Sequence, residues 1–378
     1  MNIFISYTKS ALSGVLIFFC LYRVALGDPL AMLNFPVGLL GLTLLVRKGV
    51  LGVKSIDPNL RKFLIIAGMV FCYSLLIDLA YFGPGSTIRN LFSVRLLSLL
   101  VISAACAYAV EHMVSRGRTD RLNVALIFCI SFQMAFFALL FLSPNSKEIV
   151  YSIFGMQDSV NLLEFNMFQR GFGVGSELNF TAPITTAIIA ILIIRSRLYK
   201  AVIIGAQIAN TTISVLSLIF YAKHTIRVSL ALASLFIIYS QFPDFQLLVE
   251  IAFPRFAREL ATGFTLTLFT LLDEHLLYEG RTVLDLLFGA GVNLLPDTDI
   301  ILSSDIGWVI MLNYGGIIFI ALYLAFIVSL ISLTPFDTTR RLMFFACVLI
   351  LNTKGLMFGP NALFFLFFLT ASNSLKRN

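Results

Sequence analysis

Two stretches combine residue types that could handle a phosphorylated substrate. The first, RTVLDLLFGAGVNLLPDTDIILSSDIG, opens on Arg281, carries Gly289 and Gly291, and ends on Asp305. The second, RGFGVGSELNF, places Arg170, Gly171 and Gly173 ahead of Glu177. Arginine offers a planar fork of donors that matches phosphate oxygens, and glycine lets backbone N–H groups approach them. A carboxylate such as Asp305 or Glu177 can accept a proton from a hydroxyl. Neither glycine run is a nucleotide motif, because no strand precedes it and no Gly-Lys-Ser/Thr follows. Each residue also has a plain alternative: turn glycines, arginines snorkelling to water, and, for Asp305, the cap of the helix that starts there.

The elements that hold these residues must be membrane helices. Of 378 residues, 59% are hydrophobic and 12% charged, against about 25% charged in soluble domains. The expected fold is all-α, a polytopic transmembrane bundle of about twelve spans forming a single integral membrane domain over 1–378. The net charge of +7 sits in short clusters between apolar runs, which points to topology rather than nucleic acid. Arg47, Lys48, Lys54, Arg61 and Lys62 put 47–62 on the cytoplasmic side, with 112–121 and 334–341. The long loops, about 144–179 and 274–305, then face outward, and both termini face inward. The first retained spans are expected at 10–27 and 30–46, and spans six and seven at 180–194 and 201–220. A weak span falls within 243–273. Lys223, His224, Arg227 and Lys354 come to the outward face, where Lys223, Arg227 and Lys354 join the arginines as candidate phosphate ligands.

Within the spans, Asp78 and Arg95 are expected to pair, since charges at that depth are costly alone; the alternative puts Arg95 with Arg23 and Arg89 in the cationic cavity. Trp308 reads as an interfacial anchor. The five cysteines lie in apolar runs with no CxxC spacing and read as buried and inert. Three scattered histidines argue against a histidine metal site. No internal repeat is seen, and no matching pair of broken segments, which counts against an inverted-repeat transporter.

These elements resemble the signature of the O-antigen polymerases of the Wzy type and are similar to those of the related O-antigen ligases. The resemblance is carried by Arg281 with LLFGAGVN, by the loop ending in SDIGWVIMLNYGGIIFIALYL, by RGFGVGSELNFTAP and by the closing ILNTKGLMFGPNALFFLFFL. Ligases usually have a histidine where this chain has Asp305, which favours a polymerase. The resemblance implies a class C-like, metal-independent glycosyltransferase of the bacterial inner membrane with no cofactor. It would join undecaprenyl-diphosphate-linked repeat units at the periplasmic face, in the company of membrane lipid and a chain-length regulator protein. A ligase, and a flippase or other transporter of lipid-linked glycans, are the rival readings.

Overall fold

The computed structural model describes residues 2–26, 28–52, 57–81, 91–115, 118–143, 146–154, 173–175, 177–178, 180–224, 234, 237–252, 257, 261, 275–294 and 304–375. Their regular secondary structure is helical apart from one short antiparallel ribbon, Ala25–Leu26 (β1) against Asp28–Met32 (β2). In chain order the helices are α1 (Asn2–Leu21), α2 (Asn34–Gly52), α3 (Pro58–Tyr81), α4 (Phe92–Val114), α5 (Thr119–Leu142), α6 (Ser146–Ile153), α7 (Thr181–Ile193) and α8 (Arg197–Asn210). After a 3₁₀ segment, Thr212–His224, follow α9 (Pro243–Ala252), α10 (Val283–Phe288), α11 (Gly307–Ser332), α12 (Thr338–Leu351) and α13 (Ala362–Leu375).

Among the described residues, α3, α4, α5 and α11 are long and apolar enough to cross a bilayer. A helix rises about 1.5 Å per residue, so each exceeds the roughly 30 Å of hydrocarbon. Only 33–50% of their apolar windows is buried within the chain. The remainder, including Leu64, Ile65, Leu76 and Leu79 of α3, is exposed apolar surface that suits lipid and marks a membrane protein. The stretches Thr8–Leu21, Asn34–Arg47, Thr181–Ile193 and Ala362–Asn373 are apolar but shorter. Most of the stretch 243–273, where a weak span is expected, lies outside the described residues.

The chain divides into two compact units, one of residues 1–36, 110–267 and 361–366 and the other of residues 37–109, 268–360 and 367–378. In the first, α1 lies along α5 so closely that a Cβ on Gly14 would stand 2.5 Å from Phe128 Cβ, the approach that small residues allow between membrane helices. Phe18 stacks there on Phe136, 5.9 Å between centroids. The expected spans six and seven are not two plain crossings. α7 has 13 residues, its first ten all buried, and reaches only about 20 Å. The backbone turns extended at Ile194, Ser196 receives the Tyr199 N–H to start α8, and Thr211 (φ −147°, ψ 125°) ends α8 in mid-run. A carbonyl freed at the first break finds its partner inside the unit, where Lys200 Nζ donates to that of Ile191 at 3.2 Å. The break at Ile194 falls at the expected end of span six, where Arg195 and Arg197 follow, whereas the break at Thr211 lies inside the run expected to form span seven and is not marked by a change in hydropathy.

In the second unit α3 packs against α11, with Phe63 on Phe326 and Tyr73 on Phe319. A Cβ on Gly41 would come 1.9 Å from the Ala105 carbonyl oxygen, so α2 can meet α4 only through glycine. Asp78 does not pair with Arg95. Its buried carboxylate accepts the Ser93 N–H at 2.9 Å and the Ser93 hydroxyl through Oδ2, and the Tyr314 hydroxyl at 2.6 Å through Oδ1. Neutral donors satisfy the charge without a second buried ion to desolvate. Tyr314 also meets the Ser74 carbonyl at 2.8 Å and stacks on Phe92 at 4.0 Å. Tyr314→Phe should therefore cost about 1–3 kcal/mol, because it strips one donor from a buried carboxylate. Denaturant unfolding of the detergent-solubilised protein measures the loss. Four cysteines are buried as expected, whereas Cys72 is exposed, and no disulfide links any of the five.

Candidate functional site

Helix α11 is interrupted. Gly316 takes φ 67° and ψ −166°, a region essentially confined to glycine, and the carbonyls one turn earlier lose their helical donors. The glycine-bearing loop supplies new ones. Ala290 and Val292 donate to the Asn313 carbonyl at 3.0 and 3.3 Å, and Gly291 donates to the Tyr314 carbonyl at 3.2 Å. The Tyr73 hydroxyl donates to the Gly315 carbonyl at 2.9 Å and to that of Phe288 at 3.2 Å. Loop and break require each other sterically. A Cβ would meet the Tyr314 oxygen at 2.2 Å from Gly289, and the Leu287 oxygen at 2.4 Å from Gly316.

This revises one expectation. The Gly289 N–H caps α10 by donating to the Asp285 carbonyl, so the N–H groups from Gly289 to Val292 are all engaged and form no phosphate cradle. The loop packs along α3 as far as Tyr73, eight residues before Tyr81 at the end of that helix, or about 12 Å along its axis. Its irregular backbone is satisfied by a broken helix, the kind of pairing that irregular chain needs wherever water is excluded.

The segment before it is bound to the same helix. Asn313, fully buried, donates to the carbonyls of Leu277 and Val309, each at 2.8 Å, and accepts the Glu279 N–H at 2.7 Å. Arg281 follows. Its backbone and that of Thr282 donate to Asp285 Oδ2 at 2.8 Å, while Thr282 Oγ1 receives the Asp285 N–H at 3.1 Å. This capping box starts α10 and leaves the Arg281 side chain exposed, its charge felt by the Asp285 carboxylate but in no ion pair among the described residues. The bond from the Arg281 N–H, then that from Thr282, holds the Asp285 carboxyl below its usual range. A lowered folded value means the stabilisation is complete above the unfolded carboxylate pKa of about 3.9 and is lost as pH falls through the folded one. Protection of the Arg281 and Thr282 amides from hydrogen exchange, taken relative to their intrinsic rates, should hold at neutral pH and fall only below about pH 4.

Asp305 lies at the other end of the α11 half-helix. It is not the cap: Ile306 holds that position, with no side-chain bond to the helix. Instead the Asp305 N–H donates to His275 Nδ1 at 3.3 Å, and Oδ2 stands 3.7 Å from Nε2. The Asp305 side chain is 57% exposed and the imidazole 21%. Ser304 donates through its hydroxyl to the His275 carbonyl at 2.7 Å and accepts the Ile306 N–H at 3.1 Å. The turn carrying Lys354 reaches this end too, since a Cβ on Gly307 would lie 2.8 Å from the Gly355 oxygen. Trp308 is no interfacial anchor here; its indole donates to the Leu349 carbonyl at 3.2 Å within the packing of α11 on α12.

The second unit thus carries Gly289 and Gly291 on the loop docked at the break in α11, Arg281 on the segment leading into that loop, and Asp305 with the turn of Lys354 at the other end of the half-helix. Sequence reasoning missed His275, having set the histidines aside as scattered, and missed Asn313 and Tyr314, two polar residues inside an apolar run.

In the first unit, Gly173 (φ 74°) is packed by the amide of Gln133, and a Cβ on Gly175 would strike the Tyr22 oxygen at 2.5 Å. Glu177 takes the left-handed conformation at φ 56° and accepts the Thr181 hydroxyl at the foot of α7. Arg23, next to Tyr22, is the other non-glycine residue at positive φ among those described. Strain of about 1–3 kcal/mol at each is the sort that gathers at functional positions. Arg170, Gly171 and Arg227 lie outside the described residues, as does the side chain of Lys223. No family model, curated protein or solved structure matches this chain.

Proposed function

We propose that this chain is a membrane glycosyltransferase that polymerises undecaprenyl-diphosphate-linked oligosaccharide repeat units. The supporting observation is the exposed Asp305 carboxylate beside His275, tied through Asn313 and Ser304 to the segment that presents the exposed Arg281. Arginine stabilises the charge that develops on a departing lipid diphosphate, and a carboxylate removes the acceptor proton. The hydroxyl oxygen of the incoming unit bonds to the anomeric carbon of the donor glycan as its proton passes to Asp305. The anomeric C–O bond breaks, and its electron pair leaves with the lipid diphosphate. Arg170, Arg227, Lys223 and Lys354 are further candidates for that diphosphate, and Glu177 a second candidate base.

In this reading the chain has about twelve spans with both termini in the cytoplasm, and works at the periplasmic face of the bacterial inner membrane. A chain-length regulator is the expected protein partner. Ligation to a different acceptor uses the same chemistry. Transport of the lipid-linked glycan is the reading that the broken helices around Ile194, Thr211 and Gly316 favour instead. Deletion of the gene in its host decides between them. Polymerisation predicts surface glycan carrying a single repeat unit, ligation predicts polymer that stays on its lipid carrier, and transport predicts no repeat unit delivered at all.

A further inference from the structure

We propose that His275 is a positioning residue that orients the Asp305 carboxylate for proton transfer, an inference resting on the role given to Asp305 above. The Asp305 N–H donates to Nδ1 at 3.3 Å, so Nδ1 carries a lone pair and the neutral ring bears its proton on Nε2. That Nε2–H faces Asp305 Oδ2 at 3.7 Å. One residue therefore faces both nitrogens of the ring, its backbone N–H bonded to Nδ1 and its carboxylate standing 3.7 Å from Nε2. The main chain of His275 is fixed as well, because the Ser304 hydroxyl that holds its carbonyl at 2.7 Å also accepts the Ile306 N–H at 3.1 Å. His275, Ser304 and Asp305 form a clasp between the Leu277–Arg281 segment and the start of α11.

The geometry separates the roles of the two side chains. The imidazole is 21% exposed and its Nδ1 lone pair is occupied by the Asp305 N–H, so the neutral ring has no open lone pair for a substrate proton. The carboxylate is 57% exposed, and its Oδ1 has no hydrogen-bond partner among the described residues. Oδ1 is the atom that takes the acceptor proton, while the contact of Oδ2 with Nε2–H restrains rotation of the carboxylate. At 3.7 Å the contact is longer than a hydrogen bond, and such contacts often tighten only when substrate closes the site. Without the ring, Asp305 is an exposed, freely rotating side chain, and misplacement of a reacting group by about 1 Å can cost about a hundredfold in rate.

The test uses the full-length protein in proteoliposomes with a lipid-linked repeat unit, together with ring ¹⁵N spectra of the histidine-labelled protein. His275→Asn keeps an acceptor near the Nδ1 position and removes Nε2, whereas His275→Gln carries an amide out towards the Nε2 position. We expect His275→Asn to accumulate normally and to lower kcat roughly tenfold to a hundredfold with KM little changed, and His275→Gln to recover part of that loss. The His275 ring resonances should shift in Asp305→Asn, whatever the substrate. Wild-type kcat in both His275→Asn and His275→Ala overturns the inference, and so do ring resonances unmoved by Asp305→Asn. If the wild-type protein elongates no glycan, the polymerisation reading falls, and the ring resonances alone decide for or against the pairing.

Discussion

Asp305→Asn should leave protein abundance in the membrane unchanged while elongation of the glycan falls by at least about a hundredfold, the usual range for loss of a general base. An asparagine keeps the size and polarity of the side chain but cannot take a proton at neutral pH. The substitution would be hard to interpret if Asp305 capped α11, since caps contribute about 1 kcal/mol. Ile306 holds the cap position without a side-chain bond, so helix stability should survive and the loss reports on chemistry. Immunoblotting of membranes against the glycan ladder measures both. A normal ladder in Asp305→Asn moves the base elsewhere, with Glu177 the next residue to substitute.

Gly316→Ala should fail at an earlier step, with protein that folds poorly and is cleared from the membrane. Alanine pays about 1–3 kcal/mol for this conformation, and its Cβ would stand 2.4 Å from the Leu287 oxygen, a backbone atom that cannot swing aside. Gly289→Ala meets the same obstacle from the other side, 2.2 Å from the Tyr314 oxygen at φ 86°. Each substitution pushes the loop off the break and leaves the Asn313 and Tyr314 carbonyls without donors; where water is excluded, each lost bond costs several kcal/mol. Gly68 is the control, because a Cβ there meets nothing within 4 Å and Gly68→Ala should be neutral to stabilising. Thermal unfolding of the three variants in detergent ranks them. A Gly316→Ala protein as stable as Gly68→Ala would show that the loop does not dock on the break.

The apolar runs made α3, α5 and α11 legible almost to their ends, because hydropathy alone determines where a chain can lie in lipid. The interruptions at Thr211 and Gly316 were invisible for the same reason. Each sits in a run that stays largely apolar on both sides, so a break changes backbone angles without changing composition. The break after Ile194 was legible as a span end, because Arg195 and Arg197 follow it. Gly316 was read only as part of a glycine pair, and its meaning depends on a loop about two dozen residues earlier in the chain that must supply its missing donors. Asp78 was correctly marked as needing a partner, but a partner chosen by charge was the wrong one. Ser93 and Tyr314 satisfy it, and neither residue signals in sequence that it carries a buried carboxylate. Arg281 and Asp305 were legible because charges beside a span are rare. His275 was not, since its significance lies in a fold-imposed contact across thirty positions.

The most direct test of the central claim is elongation in proteoliposomes that contain only this protein and undecaprenyl-diphosphate-linked repeat units. The account predicts lipid-linked products lengthening by whole repeat units, with one undecaprenyl diphosphate released for each bond formed, and little of either with Arg281→Ala. Repeat units that cross the bilayer unchanged, without elongation and without release of lipid diphosphate, would contradict it.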